Sequence, residues 1–363
     1  MSSVLYAPTR HRLLLSRTYK TVQRVPIASW VLTREYHCFN TYYFKQNISP
    51  TIHSNKRLVS SSAKMGAEVN NEQFKLENLF NVKGKVALVT GGGSGIGLMA
   101  VQSLAVNGAK VYIVGRTEEK LQRVSELYST GQNGEGQIIP IVADVSKKSD
   151  IDRLVKDFKS KEDHLSILIN NAGISGSARH DTEREHPEAL KETFFDNDAA
   201  TIEDWESVYR TNVAQLFFMT SAFLPLLQKA TDTIPGFSST VINITSISGI
   251  IKASQHHFAY NASKAAAIHL TKMLAHEIYT SGLKIRVNNI APGVFPSEMT
   301  ARESDEKQKS VLPKEKYEEK VPAQRPGNDR DMGSAVLFAA TNQYLNGQTV
   351  VVDGGYVLAT GTL

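Results

Sequence analysis

The sequence predicts an α/β fold, one doubly wound parallel sheet with helices on both faces. Three observations lead there. Four short apolar runs, 86–89, 111–114, 138–142 and 165–169, are bounded by turn residues and read as strands buried on both sides. Helical patterns with one apolar face alternate with them, and right-handed crossovers place such helices on both faces of a parallel sheet. Finally, the first run leads at once into a glycine-rich turn, Thr90-Gly91-Gly92-Gly93-Ser94-Gly95-Ile96-Gly97, followed by a helix with Ile96, Ala100 and Leu104 on one side.

The elements follow in order. The first helix stops at Asn107-Gly108, a usual C-terminal pair. After the second strand, Thr117 is placed to cap a helix whose inward stripe is Leu121, Val124 and Tyr128. The third strand ends at Asp144, and Ile151, Leu154, Val155 and Phe158 mark the next helix. The fourth strand closes on Asn170-Asn171-Ala172-Gly173. A long helix through Trp205, Tyr209, Val213 and Leu216 follows, then a fifth strand at 241–244, a helix from about 258 to 278, a sixth strand at 285–290 and a last at 349–352. This is a single unit of the Rossmann type without a separate substrate domain, so ligands are expected beyond the strand C-termini. Two stretches break the rhythm. Residues 175–200 are polar and charged and read as a solvated loop; residues 295–324 read as a lid over a substrate.

Composition narrows the class. The 363 residues are 41% hydrophobic and 21% charged, which suits a globular protein with a large core. The net charge of +5 is concentrated near the N-terminus, where Arg10, Arg12, Arg17, Lys20, Arg24 and Arg34 precede the first acid, Glu35, so nucleic-acid binding is not called for. The single cysteine, Cys38, excludes an intramolecular disulfide framework. No apolar run approaches the length of a membrane span, and no metal cluster is expected. Residues 1–66 are Arg-, Ser- and Tyr-rich and resemble a mitochondrial presequence, the alternative being an over-extended reading frame with Met65 as the working start. The expected domain is therefore 67–363, in the mitochondrion if residues 1–64 are expressed and in the cytoplasm if they are not.

Chemistry concentrates at three places. A glycine turn before a helix start lets backbone N–H groups and the positive dipole end meet a pyrophosphate, although the glycine spacing here departs from the usual dinucleotide pattern. Tyr260 and Lys264, four residues apart, project from one helical face, where an ammonium favours phenolate and lowers the tyrosine pKa. Ser246, at the end of the fifth strand, is placed to donate to the oxygen that Tyr260 protonates, with Thr245 and Ser248 as neighbours that could take its place.

At these residues the sequence resembles the short-chain dehydrogenase/reductase family over nearly all of residues 80–358. The carrying motifs are the glycine turn, Asn170-Asn171-Ala172-Gly173, Thr211-Asn212-Val213, Ser246, Tyr260 with Lys264, Pro292-Gly293 and Asp353-Gly354-Gly355. The resemblance implies that Tyr260 is the general acid in carbonyl reduction, that Lys264 holds the nicotinamide ribose, that Ser246 orients the substrate oxygen and that Asn212 positions a water linking Lys264 to solvent. It assigns cofactor contacts to Gly91, Ser94, Gly95, Ile96, Gly97, Asp144, Val145, Asn171, Ala172, Gly173, Tyr260, Lys264, Pro292, Gly293, Val294 and Ser297, the last standing where the family usually has threonine. The second strand ends Val114-Gly115-Arg116, with no carboxylate to hold a ribose and a guanidinium suited to a 2′-phosphate, so NADP(H) is the expected cofactor; an arginine merely stacked on adenine is the alternative.

A further resemblance in 287–300 is to the rhamnolipid-type 3-oxoacyl-carrier-protein reductases and their fungal relatives, which implies reduction of a 3-oxoacyl thioester or related ketone. A polyol or secondary-alcohol dehydrogenase is the rival enzyme, and a non-catalytic NADP(H) sensor the rival of another class. The helices at about 202–227 and 258–278 carry more apolar residues than one buried stripe needs, among them Phe217, Phe218, Ala266 and Met273. In this family such a pair packs as a four-helix bundle, implying a homodimer or homotetramer.

Overall fold

Seven strands, all parallel, lie in the order β3-β2-β1-β4-β5-β6-β7 in the computed structural model, which describes residues 71–131, 135–183 and 186–362. The N-terminal segment and its presequence-like character lie outside the described residues. The chain runs β1 (Val86–Thr90), α1 (Gly95–Ala105), β2 (Lys110–Gly115), α2 (Glu118–Tyr128), β3 (Ile138–Val142), α3 (Lys148–Lys161) and β4 (Ile167–Asn170). It continues with α4 (Pro187–Phe194), α5 (Ile202–Tyr209), a π-helical turn at Arg210–Ala214, α6 (Gln215–Thr233), β5 (Thr240–Ile244), α7 (Phe258–Thr280) and β6 (Arg286–Pro292). The short α8 (Glu298–Ala301), then α9 (Asp329–Thr341), β7 (Thr349–Val352) and α10 (Tyr356–Thr360) complete it.

Alternation along β1 explains the two covered faces. Ala87 and Val89 join one core with Leu98, Val101 and Leu104 of α1 and Met332 and Val336 of α9; Val86 and Leu88 join the other with Phe158 of α3, Phe223 of α6 and Leu274 of α7. Every residue of β1, β4, β5 and β6 is buried; β1 and β4 accordingly open on apolar runs rather than alternating ones, while β6 buries Arg286, Asn288 and Asn289 through hydrogen bonds. The order reverses between β1 and β4, and a ligand crevice opens at that switch point.

Four local expectations are corrected. Thr117 occupies the N-cap of α2 but its side chain caps nothing. The long helix is α5 and α6 separated by one π turn. Residues 175–200 are not a plain solvated loop: they contain α4 and dock on both sides. Asp204 of α5 accepts the Ser177 N–H and hydroxyl, both at 2.7 Å, while the His180 N–H donates to the His256 carbonyl at 2.9 Å. The buried His180 ring meets Phe194 and Phe258 edge-on at 5.8 and 5.5 Å. Residues 295–324, expected as a lid over a substrate, divide: 298–309 reach over the glycine-turn side of the crevice, and Leu312, Tyr317 and Val321 pack with Val294 and Tyr356. Glu298 pairs with Lys120 of α2 at 2.5 Å, Tyr128 donates to the Lys307 carbonyl at 2.7 Å, and Lys309 pairs with Asp329 at 2.7 Å.

Candidate active site

A cleft of about 510 Å³ lies across the C-terminal ends of β1 to β5. Its floor is the glycine turn after β1. Positive φ at Gly91 (+66°) and Gly95 (+53°) sets the turn, and a Cβ on Gly95 would stand 2.8 Å from the Ser297 Cβ. Gly91, Gly93, Ser94, Gly95 and Ile96 line the cleft. Ser94 precedes α1 without a side-chain cap, leaving the first-turn N–H groups free for an anion. Arg116, Asp144, Val145, Asn171, Ala172, Gly173 and Ser297 also line it. Arg116 is exposed and forms no ion pair among the described residues.

Thr90 explains why the ends of β1 and β4 meet here. Its hydroxyl accepts the N–H groups of Asn171 and Ala172 at 3.0 and 3.1 Å, and the Asn171 amide donates to the Thr90 and Gly91 carbonyls at 3.0 and 3.1 Å.

The reacting groups converge from α7, β5 and the π turn. Tyr260 and Lys264 both line the cleft. The lysine Nζ donates to the Ile244 carbonyl at 3.0 Å and lies 5.6 Å from the Tyr260 ring centroid. Ser246 begins a 3₁₀ turn, its Oγ accepting the Ser248 N–H at 3.1 Å, and it stands close enough to the Tyr260 hydroxyl to oppose part of the effect of that group's burial. Gly249 makes this meeting possible, since a Cβ there would lie 2.5 Å from the backbone of Lys264 and Ala265. Thr245 points away, donating to Asn289 and the Ile290 carbonyl, and Ser248 donates to Gln255, which leaves Ser246 as the serine beside Tyr260. Buried Asn212 accepts the Ile174 N–H and donates to the Ile174 carbonyl, each at 2.9 Å, and also donates to Ser263 at 3.0 Å. A Cβ on Gly173 would lie 3.1 Å from Asn212 Oδ1 and 3.6 Å from Lys264 Nζ, so these three are packed together.

Comparison with known proteins agrees with this layout. The family model described as short chain dehydrogenase matches residues 85–308. The chain belongs to the short-chain dehydrogenase/reductase family. It is 38% identical over 289 residues to the short-chain dehydrogenase/reductase PhomF of Diaporthe leptostromiformis, covering 78% of this chain and 94% of that protein. Over 281 residues it is 34% identical to the rhamnolipids biosynthesis 3-oxoacyl-[acyl-carrier-protein] reductase of Pseudomonas aeruginosa, covering 77% and 98%. A solved structure, the Pseudomonas aeruginosa RhlG/NADP active-site complex, superposes with a TM-score of 0.62 at 31% identity, covering 77% of this chain and 98% of that one. The protein is thus an oxidoreductase of this family, acting on CH–OH and carbonyl groups.

Not every residue assigned by resemblance to this dehydrogenase/reductase site lines the cleft. Gly97 does not: a Cβ would fall 2.0 Å from the Gly91 carbonyl oxygen, so its place is close packing inside the turn. Pro292 is the last residue of β6, paired with Val352, and Gly293 packs on Asp353, where a Cβ would reach Cα at 2.7 Å. Val294 turns towards the cluster of Leu312, Tyr317 and Val321. These three shape the backbone that delivers Ser297, whose hydroxyl takes part in the cap of α8 with Thr300. Asn212 and Ser246 stand just behind the cleft wall, joined to it through Gly173 and Tyr260.

The expected lowering of the Tyr260 pKa is also absent. Burial pushes it up, and the Ser246 hydroxyl beside it only partly opposes this. Lys264, buried with a carbonyl rather than a carboxylate beside it, is lowered by desolvation to about 8. Sequence reasoning missed Lys120 and Glu298, which line the cleft and pair across its mouth; the one available signal was a lysine four residues after Arg116 in the first turn of α2.

Proposed function

We propose that the protein interconverts a ketone and a secondary alcohol with NADP(H), and that in the reducing direction Tyr260 gives its phenolic proton to the substrate oxygen. The supporting observation is the convergence of Tyr260, beside Ser246, with a buried Lys264 in a cleft whose other end carries Arg116, which forms no ion pair among the described residues. The open glycine turn, the uncapped start of α1 and Arg116 suit a dinucleotide carrying a 2′-phosphate. NADP(H) bound there supplies or accepts the hydride. Ser246, whose Oγ already accepts the Ser248 N–H, directs its own proton towards the substrate oxygen. Lys264 holds the ribose hydroxyls, and its charge offsets the phenolate that forms when Tyr260 gives up its proton. Asn212 fixes the loop after β4 on which Gly173 and Ile174 lie.

A 3-oxoacyl thioester is the substrate class we favour, supported by the likeness to a 3-oxoacyl-[acyl-carrier-protein] reductase. The reading is tested by Tyr260→Phe. It should lower turnover about 10²- to 10⁴-fold, the usual contribution of a positioned acid, while leaving NADPH affinity within twofold. Activity close to wild type in that variant removes Tyr260 from the chemistry.

A homodimer or homotetramer is part of the same proposal. Phe217 of α6 and Met273 of α7 are 46% and 50% exposed, on the two helices whose apolar excess the sequence shows.

A further inference from the structure

Two consecutive residues without the freedom of glycine hold left-handed backbone immediately before the catalytic helix: Gln255 at φ +51° and His256 at φ +67°. Such residues cost about 1–3 kcal/mol each and persist only where the surroundings determine them. His256 is fixed from the 175–200 insertion, its carbonyl accepting the His180 N–H and its Nδ1 donating to the His180 carbonyl, each at 2.9 Å. Gln255 is fixed differently, through its side chain. The Ser248 hydroxyl donates to Oε1 at 2.7 Å, and Nε2 donates to the Tyr356 hydroxyl at 3.3 Å. Tyr356 is itself held, because the Asp353 carboxylate accepts the N–H groups of Gly355 and Val357 at 2.9 and 2.7 Å. The chain of contacts ends at the site: the Ser248 N–H donates to Ser246 Oγ at 3.1 Å.

We infer that Gln255 is a positioning residue for Ser246, acting through Ser248 and anchored by Tyr356 in the C-terminal segment. This rests on the reading of Ser246 and Tyr260 given above. The Ser248 N–H occupies an acceptor direction on Ser246 Oγ and so aims the serine proton into the cleft. Gln255 holds the turn that carries that N–H, and the left-handed backbone brings its amide within reach of Ser248 and Tyr356 together. The backbone strain is thereby tied to the orientation of one hydroxyl.

The test is a series at position 255 in which leucine and glutamate vary the amide at nearly constant backbone cost and glycine removes both the amide and that cost. With NADPH and acetoacetyl-coenzyme A as the probe ketone, Gln255→Leu should lose about tenfold in kcat, as expected for one displaced hydrogen bond near the reacting atoms, with the KM for NADPH within twofold. Gln255→Glu should stay within threefold of wild type, because a carboxylate accepts from both Ser248 and Tyr356. Gln255→Gly should be no better than Gln255→Leu, since it relieves the backbone without restoring the amide. Tyr356→Phe should cost less than Gln255→Leu and add nothing to it in the double variant. A glycine variant as active as wild type, or a Gln255→Leu variant whose loss lies in KM for NADPH instead of kcat, overturns the inference. The crystal structure of Gln255→Leu is the arm that needs no turnover, and a Ser246 rotamer and Ser248–Ser246 bond identical to wild type overturns it as well. A wild-type chain inert towards every ketone offered counts against the proposed function alone, and that crystal structure then decides the role of Gln255.

Discussion

Lys264 offers a direct test of what the site costs the fold. The residue is 5% exposed, and its ammonium donates to the Ile244 carbonyl. Desolvation lowers its pKa from 10.5 to about 8. At about 1.4 kcal/mol for each factor of ten in proton affinity, holding this lysine charged in the native protein at neutral pH costs about 3 kcal/mol. Lys264→Met keeps a long unbranched chain and removes the charge, but leaves the Ile244 carbonyl without its donor, a loss of about 1 kcal/mol. The net expectation at pH 7 is a gain of about 2 kcal/mol, or roughly 3 °C in Tm for a domain of nearly 300 residues. Turnover should be lost. The sign with pH follows from linkage. The unfolded chain binds more protons between about 8 and 10.5, so wild-type stability rises with pH across that window, and the advantage of the methionine variant, full below pH 8, shrinks towards pH 10.5. Paired urea titrations of wild type and variant at pH 7 and pH 10 measure both numbers. A variant less stable than wild type at pH 7, or an advantage that does not narrow by pH 10, refutes the burial argument.

Other expectations follow from the same geometry. Combining Arg116→Ala with Gly115→Asp should move the ratio of kcat/KM from NADPH towards NADH by about 10- to 100-fold, since charged hydrogen bonds are worth ~1.5–3 kcal/mol; steady-state kinetics with both cofactors checks it, and an unchanged ratio reassigns the end of β2. Arg286 should behave oppositely to Lys264, because its buried guanidinium donates to four carbonyls: Ala339 and Ala340 at the end of α9, Leu345 and Ser238. Arg286→Met should lower stability by about 2–4 kcal/mol in urea titration by stranding them. Light scattering of residues 65–363 at micromolar concentration should give a dimer or tetramer, and a monomer that still turns over substrate dismisses the proposed assembly.

The strands were legible because burial on both faces writes itself as an apolar run, and Tyr260 with Lys264 because four residues is one helical turn. What could not be read depends on distant partners or on backbone without a marker. The contacts that dock the insertion join His180 to His256, 76 positions away, and nothing local in 175–200 announces them. Gln255 and His256 take left-handed backbone that a reader expects of glycine or asparagine, so that turn carried no signal. Ser297 was read for its hydroxyl, but the α8 cap claims that hydroxyl locally. The Tyr260 pKa was argued from one neighbouring charge, and a sequence does not give the depth of burial that outweighs it.

The single π turn at Arg210–Ala214 sets a phase. In a regular α-helix each residue advances about 100°, so removing one residue there would turn all of α5 by that angle against α6. Asp204 and Val208 would then swing away from Gly176 and Ser177, which they hold from one side of α5. Two things that look separate, the inward aim of the Asn212 amide and the seating of a segment some thirty positions upstream, are therefore read off one irregularity in helical pitch. A one-residue deletion between 210 and 214 would keep the helix and lose both alignments.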